Sequence, residues 1–118
     1  MTMRNRYASH INFEEFDGML GKAVPSNLDM VLERNSKFLV GEWKRNNEKV
    51  SIGQQILLKA LARQPAFTVL VINGETDEGM TVNKFWKLNK YGKFQFVGDS
   101  VYQLKDYITE WYLWANDC

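Results

Sequence analysis

The segment Pro25–Lys44, PSNLDMVLERNSKFLVGEWK, constrains the fold of this chain more than any other stretch. Two largely apolar arms, Leu28–Glu33 and Phe38–Lys44, flank the polar tetrapeptide Arg34-Asn35-Ser36-Lys37. Arms of this length around so short a polar break define a β-hairpin, and a two-residue loop at Asn35-Ser36 is the favoured hairpin length. That loop sets the register. Arg34 pairs with Lys37, Leu32 with Leu39, Met30 with Gly41, and Asp29 with Glu42. Strand side chains alternate between faces, so Lys44 shares the face of Glu42. Nearer the turn, Leu28, Met30, Leu32 and Leu39 take one face, while Val31, Phe38 and Val40 take the other. Both are apolar, which predicts a sheet covered on its two sides with the charges at its edge.

The chain is 118 residues long, with 45% hydrophobic residues. That is enough for one domain with an ordinary core and too apolar for disorder. The formal net charge of +1 is uninformative about partners; a dedicated nucleic-acid binder is often strongly basic, so any such role here rests on local charge. The single cysteine, Cys118, allows no disulfide framework, in keeping with a reducing compartment. No apolar run approaches the ~18 residues that cross a bilayer, and MTMRNRYASH has no apolar signal segment. A cytoplasmic protein with no membrane partner is expected.

Around the hairpin, the pattern alternates helix and strand. Asn12–Leu20 reads as a short helix with Asn12 as cap, Glu15 at the capping-box position, and Phe13, Phe16 and Leu20 inward. Ser51 opens a second helix, SIGQQILLKALARQ, with Gln54 at the box position and an apolar stripe of Ile56, Leu57, Ala60 and Leu61. Pro65 ends it. Ala66–Asn73, AFTVLVIN, reads as a buried central strand, and a helix between it and the Glu42 arm makes the two strands parallel. Gly74–Gly79 is an acidic loop. Lys84–Leu88 and Lys93–Val97 form a second hairpin, and Ser100 caps a final helix with Gln103 at the box position and Val101, Leu104, Ile108, Trp111 and Leu113 inward. The prediction is one α/β domain with a mixed central β-sheet flanked by α-helices. Its core spans 12–73, and a C-terminal hairpin and helix occupy 84–115.

Two carboxylates facing each other repel unless a proton, a basic neighbour or a cation neutralises them. Asp29, Glu42 and the Trp43 backbone carbonyl supply hard oxygen ligands that suit Mg²⁺ or Mn²⁺. Such an ion can lower the pKa of a bound water and neutralise a phosphoryl oxygen. Lys44 stands where it can orient the attacking water or stabilise the phosphate. The parts suit phosphodiester hydrolysis. A surface salt bridge of Lys44 with either acid accounts for the charges, but not for two acids set opposite each other.

Asp29, a short hairpin and Glu42-Trp43-Lys44 resemble the signature of the PD-(D/E)XK nuclease superfamily. The helix opening Ser51-Ile52-Gly53-Gln54 is similar to the Gln-bearing helix of the subset containing VRR-type nucleases and archaeal-type Holliday-junction resolvases. The resemblance covers roughly 12–73. It implies a restriction-endonuclease-like fold, a Mg²⁺-dependent DNA endonuclease, a supporting role for Gln54 (or, second, Gln55), and a further acid from the leading helix, Glu14 or Glu15. It also implies a homodimer that cuts branched DNA. Leu28 precedes the Asp where the family carries proline. The rival reading is a non-catalytic module on the same fold that binds DNA or a protein.

Other features are weaker. Arg45, Lys49, Lys59 and Arg63 are candidate phosphate contacts flanking the site. Lys84, Lys87, Lys90 and Lys93 surround the aromatic second hairpin and are candidates of the same kind. His10, the sole histidine, and the terminal Cys118 lie outside any pattern. Glu75, Asp77 and Glu78 read as a solvated loop before a calcium site. Trp111, Tyr112 and Trp114 read as core or dimer surface.

Overall fold

A computed structural model describes residues 12–117. His10 and Cys118 lie outside them. Five strands form one mixed sheet in the order β1-β2-β3-β4-β5: β1 (Met30–Arg34), β2 (Lys37–Lys44), β3 (Phe67–Glu75), β4 (Thr81–Leu88) and β5 (Phe94–Gly98). The β2–β3 pair is parallel and the other three are antiparallel. Helix α1 (Ile52–Ala62) makes the crossover between the parallel strands, and α2 (Val101–Asp117) closes the chain. This is the mixed α/β architecture that the patterning predicts. No helix among the described residues is long and apolar enough to cross a membrane.

The first hairpin takes the register set by a two-residue loop, from Arg34↔Lys37 to Met30↔Gly41. Asn35 and Ser36 have φ of 55° and 63°. Positive φ at both central positions is the type I′ turn, whose twist matches that of the strands it joins. The tip is tied to the far end of the chain. Asn35 Nδ2 donates to the Ala115 carbonyl, Arg34 Nε donates to Asn116, and the Arg34 guanidinium lies 5.1 Å over the Tyr112 ring.

The two sheet faces carry separate cores. Leu58 and Ala62 of α1 pack on Val69, Val71 and Leu88. On the opposite face, Leu104, Trp111 and Ala115 of α2 pack on Leu39, Leu70, Ile72 and Phe85. Four alternating residues of β3 supply both cores, Val69 and Val71 on one face and Leu70 and Ile72 on the other, which is why AFTVLVIN reads as continuously apolar. Cover is incomplete over the edge strand: Met30 and Leu32 pack toward α2, whereas Val31 on the α1 face is 55% exposed. The expected two-sided cover therefore stops at β2.

One predicted element does not form. Asn12–Leu20 is no α-helix but a single 3₁₀ turn, Glu14–Phe16, with Phe16 and Leu20 exposed. Asn12 Oδ1 accepts from Glu14 N at 2.8 Å, two residues on, so the side chain closes a local turn in place of a helical cap. Gly18 and Gly21 then take φ of 82° and 71°, a conformation that ends a right-handed helix.

The helix starts follow their capping residues. Ser51 and Gln54 form a full capping box on α1. At α2, Gln103 N donates to Ser100 Oγ at 3.2 Å, while Gln103 Oε1 accepts from Asp99 N at 2.7 Å.

Candidate active site

The alternation of β2 decides where its charged residues go. Trp43 faces α2 and is packed against that core. Glu42 and Lys44 on either side of it face α1. The residue between the two charges is thus an anchor that fixes both of them. Backbone groups alternate as well. Phe38 N donates to the Ala66 carbonyl and the Lys44 carbonyl accepts from Asn73 Nδ2, so the even-numbered residues bond toward β3. Trp43 bonds toward β1, but β1 ends at Met30. Its N–H finds Asp29 instead, donating to Oδ2 at 2.8 Å. The Trp43 carbonyl turns to the same open edge by the same alternation.

Asp29 therefore stands one residue beyond the ladder, not in a regular pair with Glu42. It is still close enough to act on Glu42 through both charge and hydrogen bonding.

Glu42 is the only charged residue buried among those described, at 4% exposure. Burial pushes its carboxyl above the ordinary value of 4.5; the Asp29 charge pushes it further, and Lys44 opposes both. Two donors converge on one of its oxygens: Gln54 Nε2 at 2.8 Å and Lys44 Nζ at 3.3 Å meet Glu42 Oε1. Gln54 is held at its other end too, because its Oε1 accepts from Ser51 N at 3.3 Å. The amide orientation follows from these bonds, since a flipped carboxamide would set oxygen against carboxylate and nitrogen against N–H. The residue that caps α1 is thereby the residue that positions Glu42. Gln55 lies elsewhere and donates to the Val50 carbonyl at 3.1 Å.

Asp29, Glu42, Lys44 and Gln54 thus come together at the open end of the first hairpin. Two carboxylates and the Trp43 carbonyl are oxygen donors of the kind Mg²⁺ takes, with water completing the shell. Burial beside a second acid accounts for the raised carboxyl. The donor set fits a hard divalent ion. Glu14 and Glu15, exposed in the 3₁₀ turn, do not join it. Among the described residues no three acids, histidines or cysteines form a metal-holding group, and this applies equally to Glu75, Asp77 and Glu78.

The flanking cations scatter. Arg45 follows Lys44 but pairs with Asp77, and Lys49 is exposed in the loop before α1. Lys59 and Arg63 sit at the far end of α1, with Arg63 about 13 Å along the axis from Gln54. Three asparagines went unremarked in the sequence. Asn73 Nδ2 donates to the Lys44 carbonyl at 3.2 Å, and Asn83 Nδ2 reaches both Asn73 Oδ1 at 3.1 Å and Asn46 Oδ1 at 3.3 Å. This amide chain ties the end of β2 to β3 and β4. Its one trace in the sequence is an amide closing an otherwise apolar strand.

The chain matches no family model, and no curated protein or solved structure matches it significantly.

Proposed function

We propose that this protein is a metal-dependent DNA endonuclease with Asp29, Glu42, Lys44 and Gln54 as its active-site residues. One observation carries the reading. A buried carboxylate is held by an amide from α1 and an ammonium from its own strand, beside a second carboxylate whose position depends on β1 ending early. A fold that needed only a salt bridge would not bury Glu42 against Asp29, because the arrangement costs stability until a cation arrives.

Asp29 and Glu42, with the Trp43 carbonyl, would hold Mg²⁺ or Mn²⁺, and the ion would supply Lewis-acid stabilisation of the phosphate and a more acidic bound water. Gln54 keeps Glu42 Oε1 in place. The Trp43 N–H holds the Asp29 carboxylate at the open edge beside Glu42, where the two would hold the ion together. Lys44, with its side chain 15% exposed, borders the carboxylates on the α1 face, where its ammonium can hold an attacking water or a phosphoryl oxygen.

The test is incubation of purified protein with Mg²⁺ or Mn²⁺ and duplex, single-stranded and branched DNA. The expected result is cleavage of at least one of these, lost in Glu42→Ala and Lys44→Ala. Intact DNA in every arm, or variants that cut as well as the parent, would overturn the reading. Branched DNA is the favoured substrate, on the resemblance of Asp29, Glu42-Trp43-Lys44 and Gln54 to the junction-resolvase subset. Cutting both strands of a junction would call for a cytoplasmic homodimer, which light scattering tests.

A further inference from the structure

On the α1 face of the sheet the helix packs on β3 and on Leu88 at the end of β4, and leaves Phe94 and Phe96 of β5 exposed. The strand registers place Glu42 beside Val71, Val71 beside Trp86, and Trp86 beside Phe96. These four form one transverse row with side chains on a single face. Glu42 begins the row, Val71 lies under α1, and the row emerges as a pair of aromatic rings. Trp86 and Phe96 meet edge to face at 6.5 Å, and Phe94, the next residue on that face, lies opposite Leu88. Phe96 is 59% exposed and Phe94 45%. Three strand spacings, about 14 Å, separate the Phe96 backbone from that of Glu42.

The near side of α1 continues this surface. Ile52, Ile56, Lys59 and Arg63 follow each other at spacings of four, three and four along one helical stripe. The alkyl chain of Lys59 lies against Gly92 in the β4–β5 turn, so the stripe borders that hairpin. Ile52 and Ile56 are both largely exposed.

Charge decides what such a surface receives. The segments 51–64 and 81–98, which build the patch, hold none of the fourteen Asp and Glu and six of the fifteen Lys and Arg, of which Lys59, Arg63 and Lys84 lie on the patch face while Lys87 turns to the α2 face. The remaining chain is acidic, with nine cations against fourteen acids. Lys84 pairs with Asn73, which pairs with Lys44, so a second row beside the first joins the candidate catalytic lysine to this basic region. An apolar partner protein or a second copy needs aromatic surface but not this one-signed rim. Exposed rings within a cationic border are the composition of a base-stacking platform.

We propose that the exposed Phe94–Phe96 face beside α1 binds single-stranded DNA, with bases stacked on Phe94 and Phe96 and the backbone held by Lys59 and Lys84. As the substrate-holding surface of the site, it rests on the nuclease reading and names the unpaired arm of a branched substrate as the part held. As a binding surface, it is measured without cleavage.

The test is fluorescence anisotropy of the full chain in EDTA, using a labelled oligo-dT of roughly 16 nucleotides, a duplex of equal length and an oligo-U. Oligo-dT should bind more tightly than duplex, with affinity falling as salt rises. Phe94→Ala and Phe96→Ala should each weaken oligo-dT binding about fivefold or more. Phe96→Leu, which keeps the apolar bulk, should weaken it too, and an unchanged circular dichroism spectrum certifies the fold. The proposal is overturned by absent oligo-dT binding, tighter binding of duplex or oligo-U, or phenylalanine variants that bind normally. It is also overturned if Phe96→Ala converts a dimer to a monomer, because the face then belongs to a second copy. Cleavage with normal binding by the variants defeats this proposal alone. Binding that depends on Phe96, with no cleavage by the parent, defeats the nuclease reading and leaves the platform.

Discussion

Replacing Gln54 by Ala tests whether the cap of α1 and the candidate active site are one device. The substitution removes two bonds. The bond from Nε2 to Glu42 is short and charge-assisted, a kind that contributes about 1.5–3 kcal/mol. The bond from Ser51 N to Oε1 is longer, and half of a capping box contributes about 0.5 kcal/mol. Alanine returns a few tenths through helix propensity, so the net loss is about 2–3 kcal/mol. Gln55→Ala is the matched control. It removes one neutral bond to the Val50 carbonyl, at a cost of about 1 kcal/mol. Urea unfolding, followed by far-UV circular dichroism and tryptophan fluorescence, measures both. The stronger discriminator is pH. Burial and the Asp29 charge raise the Glu42 carboxyl above its ordinary value, and protonation in acid removes its charge, so the cost of Gln54→Ala should shrink toward that of a neutral bond as pH falls, whereas the cost of Gln55→Ala stays constant. Equal costs for the two variants, or a Gln54 cost indifferent to pH, would refute the argument that Gln54 acts on a charged Glu42.

The raised Glu42 carboxyl sets a pH slope. The folded state binds more protons than the unfolded one as pH climbs past 4.5, so stability declines until the raised value is passed and then levels off. Glu42→Gln should flatten that slope, and Mg²⁺ should raise the melting temperature of the parent but not of this variant, as differential scanning fluorimetry would record. At the first hairpin, Ser36→Gly relieves an L-residue at φ 63° and should stabilise by about 1 kcal/mol in thermal unfolding. Gly74→Ala should do the reverse. A Cβ there would sit 2.0 Å from the Thr81 carbonyl oxygen, so β3 and β4 must part, costing about 1–3 kcal/mol in urea unfolding.

Legibility in the sequence followed the strength of the local rule. The Arg34–Lys37 turn admitted one favoured loop, and its register, the parallel β3 and both helix caps all form as patterned. The stretch Asn12–Leu20 offered similar signals, but they conflicted with two nearby glycines. A short segment cannot repay helix nucleation when its cap side chain prefers a tighter turn. The exposure of Val31 was illegible for another reason. An apolar residue on an edge strand reads the same whether or not a helix reaches far enough to cover it, and α1 does not.

The position of Asp29 shows how a prediction of pairing can be close in space yet differ in cause. Register reasoning set Asp29 opposite Glu42 as another rung of the ladder. In the structure the ladder stops at Met30, and the missing rung is what makes the site. Had β1 continued, the Trp43 N–H and carbonyl would be consumed by backbone pairing, and Asp29 would project as an ordinary strand side chain. Because the strand ends, the N–H is free to bind the Asp29 carboxylate, and the carbonyl is turned to the same edge. The unpaired edge would otherwise be a liability for aggregation. Here a charged residue fills it and helps to form the candidate metal site. Asp29→Val, which removes the carboxylate and favours continuation of β1 so that Leu28 pairs with Trp43, should abolish cleavage while urea unfolding shows the fold retained.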